Sequence, residues 1–308
     1  MKRTMQRRET LPPPFEADRR RVEAHLASRF AHLPGVPLDL ARALRYAVLA
    51  PGKRLRPLLV LLGYDAAGGP ARLRSRVLPA AGALECVHAF SLVHDDLPAL
   101  DNDDLRRGRP TLHRKFGEAT AILAGDALLA LAFEDLAGLA GDGGFPAERV
   151  LAAARDLARA SGAAGMVAGQ VLDLAAERRP RVTTAAVRAI HLRKTGELLA
   201  TALTVGGRLA GGSTRALRAL HAIGLDLGVA FQIADDLLNE RSDHRALGKA
   251  AGSDRARGKA TWPRAAGASA SERAVRMLSR RAARRAQVFP PHQGHFVTLT
   301  AFLAARRA

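Results

Sequence analysis

The chain carries one cysteine, Cys86, in 308 residues. A lone cysteine excludes an intrachain disulfide and a cysteine zinc cluster, and its place in an apolar run reads as a buried small side chain. Aromatic residues make up only 4% of the composition, and no β-branched or aromatic alternating run occurs, so strands have little to be built from. No charge-free run reaches the roughly 18 apolar residues expected of a membrane span. The basic N-terminus lacks the apolar centre of a secretory signal, and Pro12 to Pro14 interrupt it. Phosphate loops of the nucleotide type are missing as well: Gly52-Lys53 has no spaced glycine before it, and Gly141 to Gly144 follows a helical pattern. These absences lead to the expectation of a soluble cytoplasmic protein with no stable membrane insertion.

Alanine, leucine and basic residues are plentiful. Lys plus Arg total 48 against 29 Asp plus Glu, a formal charge of +19. Such a balance invites a polyanionic partner, whether nucleic acid, membrane surface or phosphorylated metabolite. Much of the excess lies in Lys2 to Arg8, Arg19 to Arg21, Arg178 to Arg181 and Arg273 to Arg285, where the spacing suits solvated helix faces. No zinc-finger spacing, RNA-binding aromatic motif or heptad-bearing basic region accompanies the charge, so no nucleic-acid partner is expected.

The hydrophobic spacing predicts helices throughout. Residues 1–14 read as a disordered basic arm, and residues 15–308 as one all-α domain. Helical patterns cover Phe15 to Phe30, Leu38 to Leu49 and Leu58 to Tyr64. The run Val77 to Leu97 is nearly all apolar and too long for a strand, so it is expected to be a central helix. Further helices are expected over Phe116 to Leu139, Pro146 to Leu174, Thr183 to Leu209, Thr214 to Asn239, Ser271 to Val288 and Phe296 to Arg307.

Two acidic stretches end apolar helices. In the first, Asp95, Asp96, Asp101, Asp103 and Asp104 are followed at once by Arg106, Arg107 and Arg109. A carboxylate six residues beyond Asp95 would point about 240° away on an unbroken helix. Pro98 removes a donor and clashes with the preceding turn, so the helix is expected to bulge or end there and return Asp101 toward Asp95. Hard divalent cations such as Mg²⁺ take oxygen ligands and bridge to phosphate. In the second stretch, Phe231-Gln232-Ile-Ala-Asp235-Asp236-Leu-Leu-Asn239, Asp235 and Asn239 share a helix face. Taken singly, either pair reads equally as a solvated or capping helix end; together they point to facing metal sites. Lys53 and Arg56 open a helix, where dipole and free amides favour anions. His88 is seven residues before Asp95, on its face. Lys194-Thr195 interrupts an apolar helix, and Lys249 and Lys259 lie in the polar stretch after the second motif.

Gly52-Lys-Arg-Leu-Arg-Pro57, Asp95-Asp-Leu-Pro-Ala-Leu-Asp101 with Arg106-Arg107, Gly169-Gln170, Lys194-Thr195, Phe231-Gln-Ile-Ala-Asp-Asp236 and Gly258-Lys-Ala-Thr261 recur in order. In this the chain resembles the trans-type short-chain isoprenyl diphosphate synthases, the farnesyl and geranylgeranyl diphosphate synthases. The resemblance implies a helical isoprenoid-synthase bundle around a central apolar cavity, a homodimer, and three Mg²⁺ per site. It implies that Asp95, Asp96 and Asp101 bind two of the metals and Asp235 the third. Arg106, Lys194, Gln232 and Lys259 would hold an allylic diphosphate, with Thr195 and Lys249 nearby, while Gln170 and Asp173 line the reaction site. Lys53, Arg56, His88 and Arg107 would bind the diphosphate of isopentenyl diphosphate. The family's second motif usually ends in Asp, and Asn239 removes one negative charge there. An aromatic at Phe90, beside Ser91, with the insertion Pro98-Ala99 resembles farnesyl-type enzymes, so a C15 product is expected, with C20 as the alternative. A terpene cyclase would lack the second Asp-Asp and the Lys53/Arg56/His88 set. A non-catalytic subunit of a heteromeric synthase would have lost acidic ligands, and Arg306-Arg307 are candidates to reach the isopentenyl diphosphate.

Overall fold

The computed structural model describes residues 11–177, 179, 181–241 and 258–304. Its helices are α1 (Pro13–Ala31), α2 (Leu38–Val48), α3 (Leu55–Ala66), α4 (Leu78–Asp95), α5 (Leu112–Phe116), α6 (Glu118–Ala137), α7 (Ala147–Ser161), α8 (Met166–Glu177), α9 (Thr184–His191), α10 (Glu197–Ala210), α11 (Thr214–Arg241), α12 (Trp262–Ala266), α13 (Ala268–Arg285) and α14 (Gln293–Ala304). Strands β1 (Leu105–Arg106) and β2 (Arg109–Pro110) form one small antiparallel hairpin. The all-α expectation holds.

Two helices are buried on nearly every face and organise the rest. Along α4, the residues from Ala80 to Cys86, then Val87, Ala89, Phe90 and Val93, are withdrawn from solvent. Along α10, every residue from Leu198 to Gly207 is buried. A helix apolar all round must lie inside the bundle. The packing runs in sequence from α6 to α4, α3, α10, α11 and α13, with α7 also against α10. Close approach in the centre rests on small residues: a Cβ on Gly206 would stand 1.9 Å from the Val60 carbonyl oxygen of α3. By length and composition, with up to two charged residues allowed in a window, the segments 71–95 and 214–240 are apolar enough to cross a membrane, but 67% and 50% of their apolar windows are buried inside this fold.

Three boundaries differ from the sequence reading. Helix α1 starts at Pro13, and Leu11 is buried at 6% exposure, so the chain joins the core before residue 15. Proline suits a first helical position, where its missing N–H has no partner to lose. The span expected as one helix from Pro146 divides at Gly162 into α7 and α8. The span from Thr183 divides into α9 and α10 around a single π-helical turn, Leu192–Gly196, a feature that periodicity does not reveal.

Candidate active site

The first acidic stretch departs from the helix earlier than its proline. Helix α4 ends at Asp95, three residues before Pro98, which lies exposed in the following turn and not in a bulged helix. The residue before a proline resists helical geometry, so the chain must leave the helix at Leu97 or sooner. The Asp101 N–H then donates to the Asp95 carbonyl at 2.8 Å, and Asn102 N–H to Leu97 O at 3.0 Å. Asp101 is thereby returned to Asp95, as the sequence suggested.

The arginines that follow sit on the hairpin. Its two-residue loop, Arg107-Gly108, has φ of 53° and 74°, the twist that tight hairpins require. Arginine is an unusual occupant of that conformation. It is held there: Arg107 Nη1 donates to the Pro51 carbonyl at 2.6 Å, and its guanidinium packs where a Cβ on Gly52 would stand. Arg106 takes both oxygens of Asp96 at 2.8 Å through Nε and reaches Asp103 at 3.6 Å. Asp96 thus grips Arg106 beside the other aspartates of the first motif.

A band of alternating charge crosses the site. Lys259 Nζ lies 2.7 Å from Asp101, 3.6 Å from Asp173 and 3.9 Å from Glu177, and Lys194 Nζ donates to Asp173 at 2.7 Å. The π-turn supplies Lys194 and Thr195, and it leans on α8 at Gly169, where a Cβ would meet the Lys194 backbone nitrogen at 2.3 Å. Burial opposes the charge of Lys194, but Asp95, Asp173 and Asp101 outweigh it and raise its pKa. Burial pushes Asp173 up, yet Lys194 and Lys259 hold it below the usual carboxylate range. Asp95 is raised, chiefly by burial, with Lys194 lowering it and Asp101 pushing it further up.

The second motif divides its work. Asp236 accepts from the Trp262 backbone N–H at 2.8 Å and from Gln232 Nε2 at 3.3 Å, with His191 Nε2 also at 3.3 Å. The His191 and Trp262 rings stack at 6.0 Å, and Thr195 donates to Gln232 Oε1 at 3.0 Å. Asp236 is therefore the knot that ties the lysine-bearing segment, residues 258–262, to α9 and α11. With Lys259 on Asp101 and Trp262 on Asp236, the four residues 259–262 bridge the two motifs. Asp235 stands near enough to Arg56 to favour that guanidinium's charge.

Arg56 and His88 gather with Arg107 on the other side. His88 is depressed far below its ordinary 6.5, by burial first and then by Arg56, Arg107 and Arg106, so its imidazole is neutral. Burial also lowers Arg56 to about 10. Arg56 Nε, His88 Nδ1 and both amide atoms of Gln170 are buried with no hydrogen-bond partner among the described residues, which buried polar groups rarely tolerate without a ligand or water. Lys53 is placed differently, with its ammonium 4.9 Å over the Phe302 ring of α14. Ser91 donates to the His88 carbonyl at 2.9 Å, and Phe90 packs edge-on against His94 at 4.9 Å. Lys249, Arg306 and Arg307 lie outside the described residues.

A polyprenyl synthetase family model matches residues 38–288. The chain belongs to the polyprenyl synthetase family. It is 41% identical to a heterodimeric geranylgeranyl pyrophosphate synthase large subunit of Arabidopsis thaliana, over 88% of this chain and 71% of that one. A dimethylallyltranstransferase of Fischerella ambigua is 40% identical over 96% and 83%. Among solved structures, an FPP/GFPP synthase of Zymomonas mobilis superposes with a TM-score of 0.82 at 34% identity, over 95% of this chain and 98% of that one. A Helicobacter pylori geranyltransferase complexed with magnesium and isoprenyl diphosphate gives 0.81 at 29%, over 96% and 97%. The chain is a trans-prenyltransferase.

The donor set suits the metal seen in that relative. Asp95 and Asp101 are hard oxygen donors whose charges disfavour one another, and the Lys259 and Lys194 ammoniums stand among these carboxylates where added positive charge is favoured. Among the described residues, no three carboxylate, imidazole or thiol groups already close on one point.

Proposed function

We propose that this prenyltransferase joins isopentenyl diphosphate to an allylic diphosphate, with Asp95, Asp96, Asp101 and Asp235 holding three Mg²⁺. The observation that carries the reading is the bridge of residues 259–262, which joins Asp101 of one aspartate motif to Asp236 of the other. When bound, the magnesium ions neutralise charge developing on the leaving diphosphate. Lys194, Lys259 and Arg106 are placed to hold that diphosphate while the allylic carbon–oxygen bond breaks. The double bond of isopentenyl diphosphate then adds to the allylic cation, forming the new carbon–carbon bond. Loss of a proton to the departed diphosphate restores an alkene. Arg56, Arg107 and neutral His88 hold the second diphosphate in place, and the apolar faces of α4 keep water from the cation.

The product we propose is C15. Phe90 is buried, five residues before Asp95, and lies about 7.5 Å deeper along α4, where it would close the tail cavity. The names of the Arabidopsis relatives favour a C20 product as the second reading. Purified protein with Mg²⁺, isopentenyl diphosphate and each of the C5, C10 and C15 allylic diphosphates, with products resolved by length, tests both. Condensation with none of the primers refutes the enzyme reading; a Phe90→Ala variant with an unchanged product removes the basis for C15. We further propose a homodimer, supported by Ile122 and Leu123 on α6, which are apolar yet exposed at 45% and 61%; light scattering behind a sizing column measures it.

A further inference from the structure

The loop between α2 and α3 carries Lys53 and leads into Arg56, the second residue of α3, and it is folded around the buried side chain of Arg54. Arg54 has φ 51° and ψ 37°, the left-handed region that an L side chain with a long stem rarely adopts. Its side chain is 4% exposed, and its fork is directed into the protein. Nη1 donates to the Val48 carbonyl at 3.0 Å and to Glu85 Oε1 at 2.5 Å, and Nη2 donates to the Ala50 carbonyl at 2.8 Å. The two carbonyls lie at the C-terminal end of α2, where helix oxygens lack internal partners and a cation is favoured. Glu85, on α4, is 6% exposed and faces Arg54 from one helical turn before His88.

Four observations meet on this pair. The left-handed residue immediately precedes α3 and so sets the direction in which Arg56, two residues on, leaves the helix start. Pro51 and Gly52 of the same loop receive Arg107. Glu85 and His88 share α4, so one ion pair joins the loop to the helix that presents the imidazole. Arg54, Glu85, His88 and Arg107 line one pocket. Strained backbone persists only where its surroundings over-determine it, and here they comprise a buried carboxylate and two helix-end carbonyls.

We propose that Arg54 and Glu85 are positioning residues for isopentenyl diphosphate: their buried ion pair locks the loop 50–56 in the conformation that lets Arg56 and Arg107 converge with His88 on one diphosphate. This rests on the reading of that cluster as the isopentenyl diphosphate site. Glu85 also supports the charge of Arg56 against burial.

The test is steady-state kinetics of Glu85→Gln and Arg54→Asn, varying each substrate in turn against saturating partner. Asparagine tolerates left-handed backbone, so Arg54→Asn removes the guanidinium and keeps the turn. The expected result is a KM for isopentenyl diphosphate raised roughly tenfold or more, with the KM for the allylic diphosphate unchanged. An unchanged KM for isopentenyl diphosphate, or an equal rise in both constants, overturns the proposal. Should circular dichroism show either variant unfolded, Arg54→Lys, which keeps the charge without the fork, is judged by the same two constants. Arg56→Ala separates the two levels. If it leaves the KM for isopentenyl diphosphate unchanged, the assignment of the cluster fails; if it raises that constant while Glu85→Gln does not, only the positioning role fails.

Discussion

At the scale of single residues, the two aspartates of the second motif look alike in the sequence and differ in the fold. Asp236 has a backbone N–H, an amide and an imidazole around it, whereas Asp235 bears on Arg56. Asp236→Asn is therefore expected to loosen the Lys259 segment. Hydrogen bonds to a charged group contribute about 1.5–3 kcal/mol, so chemical denaturation should show a loss in that range together with a raised KM for the allylic substrate. A conservative isostere with parental stability and kinetics would contradict the role. Asn239→Asp is expected to change kcat by less than about tenfold, because Asp235 and the lysines remain; a gain of several orders of magnitude would mark the natural chain as inactive. His88 gives a pH dependence. Its folded pKa is depressed below 6.5, so the folded state refuses a proton that the unfolded chain accepts. Stability is full above the unfolded value and falls as pH drops below it, by up to about 1.4 kcal/mol per unit. Urea midpoints at pH 7.5 and 5.5 should show a smaller acid loss in His88→Gln than in the parent.

Among the elements, what the sequence showed and what it hid divide along physical lines. The apolar run of α4, the two acidic helix ends and the return of Asp101 after Pro98 were legible because periodicity and proline chemistry are local. The π-turn was not, since an extra residue in a helix leaves the apolar count unaltered and is decided by what packs against it. The engagement of Asp96 by Arg106, the Asp236 knot and the Arg54–Glu85 pair were hidden for a related reason: each partner is chosen by tertiary approach. Gly169 shows the dependence most directly. Its bare Cα lets α8 touch the Lys194 backbone, so Gly169→Ala forces α8 and the π-turn apart. Such overpacking destabilises by about 1–3 kcal/mol, and kcat should fall with it because Lys194 moves. Thermal melts and turnover measured on one preparation check both; a variant with normal kcat would show the approach to be irrelevant to catalysis.

For the molecule as a whole, the helices pack around a buried apolar core, and the net charge of +19 suits substrates that are themselves polyanions. Chelation of divalent metal is expected to abolish condensation. Mg²⁺ with inorganic pyrophosphate should raise the melting temperature of the parent more than that of Asp101→Asn, by mass action on the folded state; equal shifts would remove Asp101 from the metal site. The contact of Lys259 with Asp101 has a last consequence. Each partner answers the other's charge, so either ligand arriving alone must disturb that ion pair without supplying the charge that its other half gives up. Metal and diphosphate arriving together let the lysine exchange a carboxylate for a phosphate and the aspartate exchange an ammonium for a metal. Binding is thus a double exchange of counter-ions, and its signature is reciprocal: the factor by which magnesium tightens diphosphate is the factor by which diphosphate tightens magnesium.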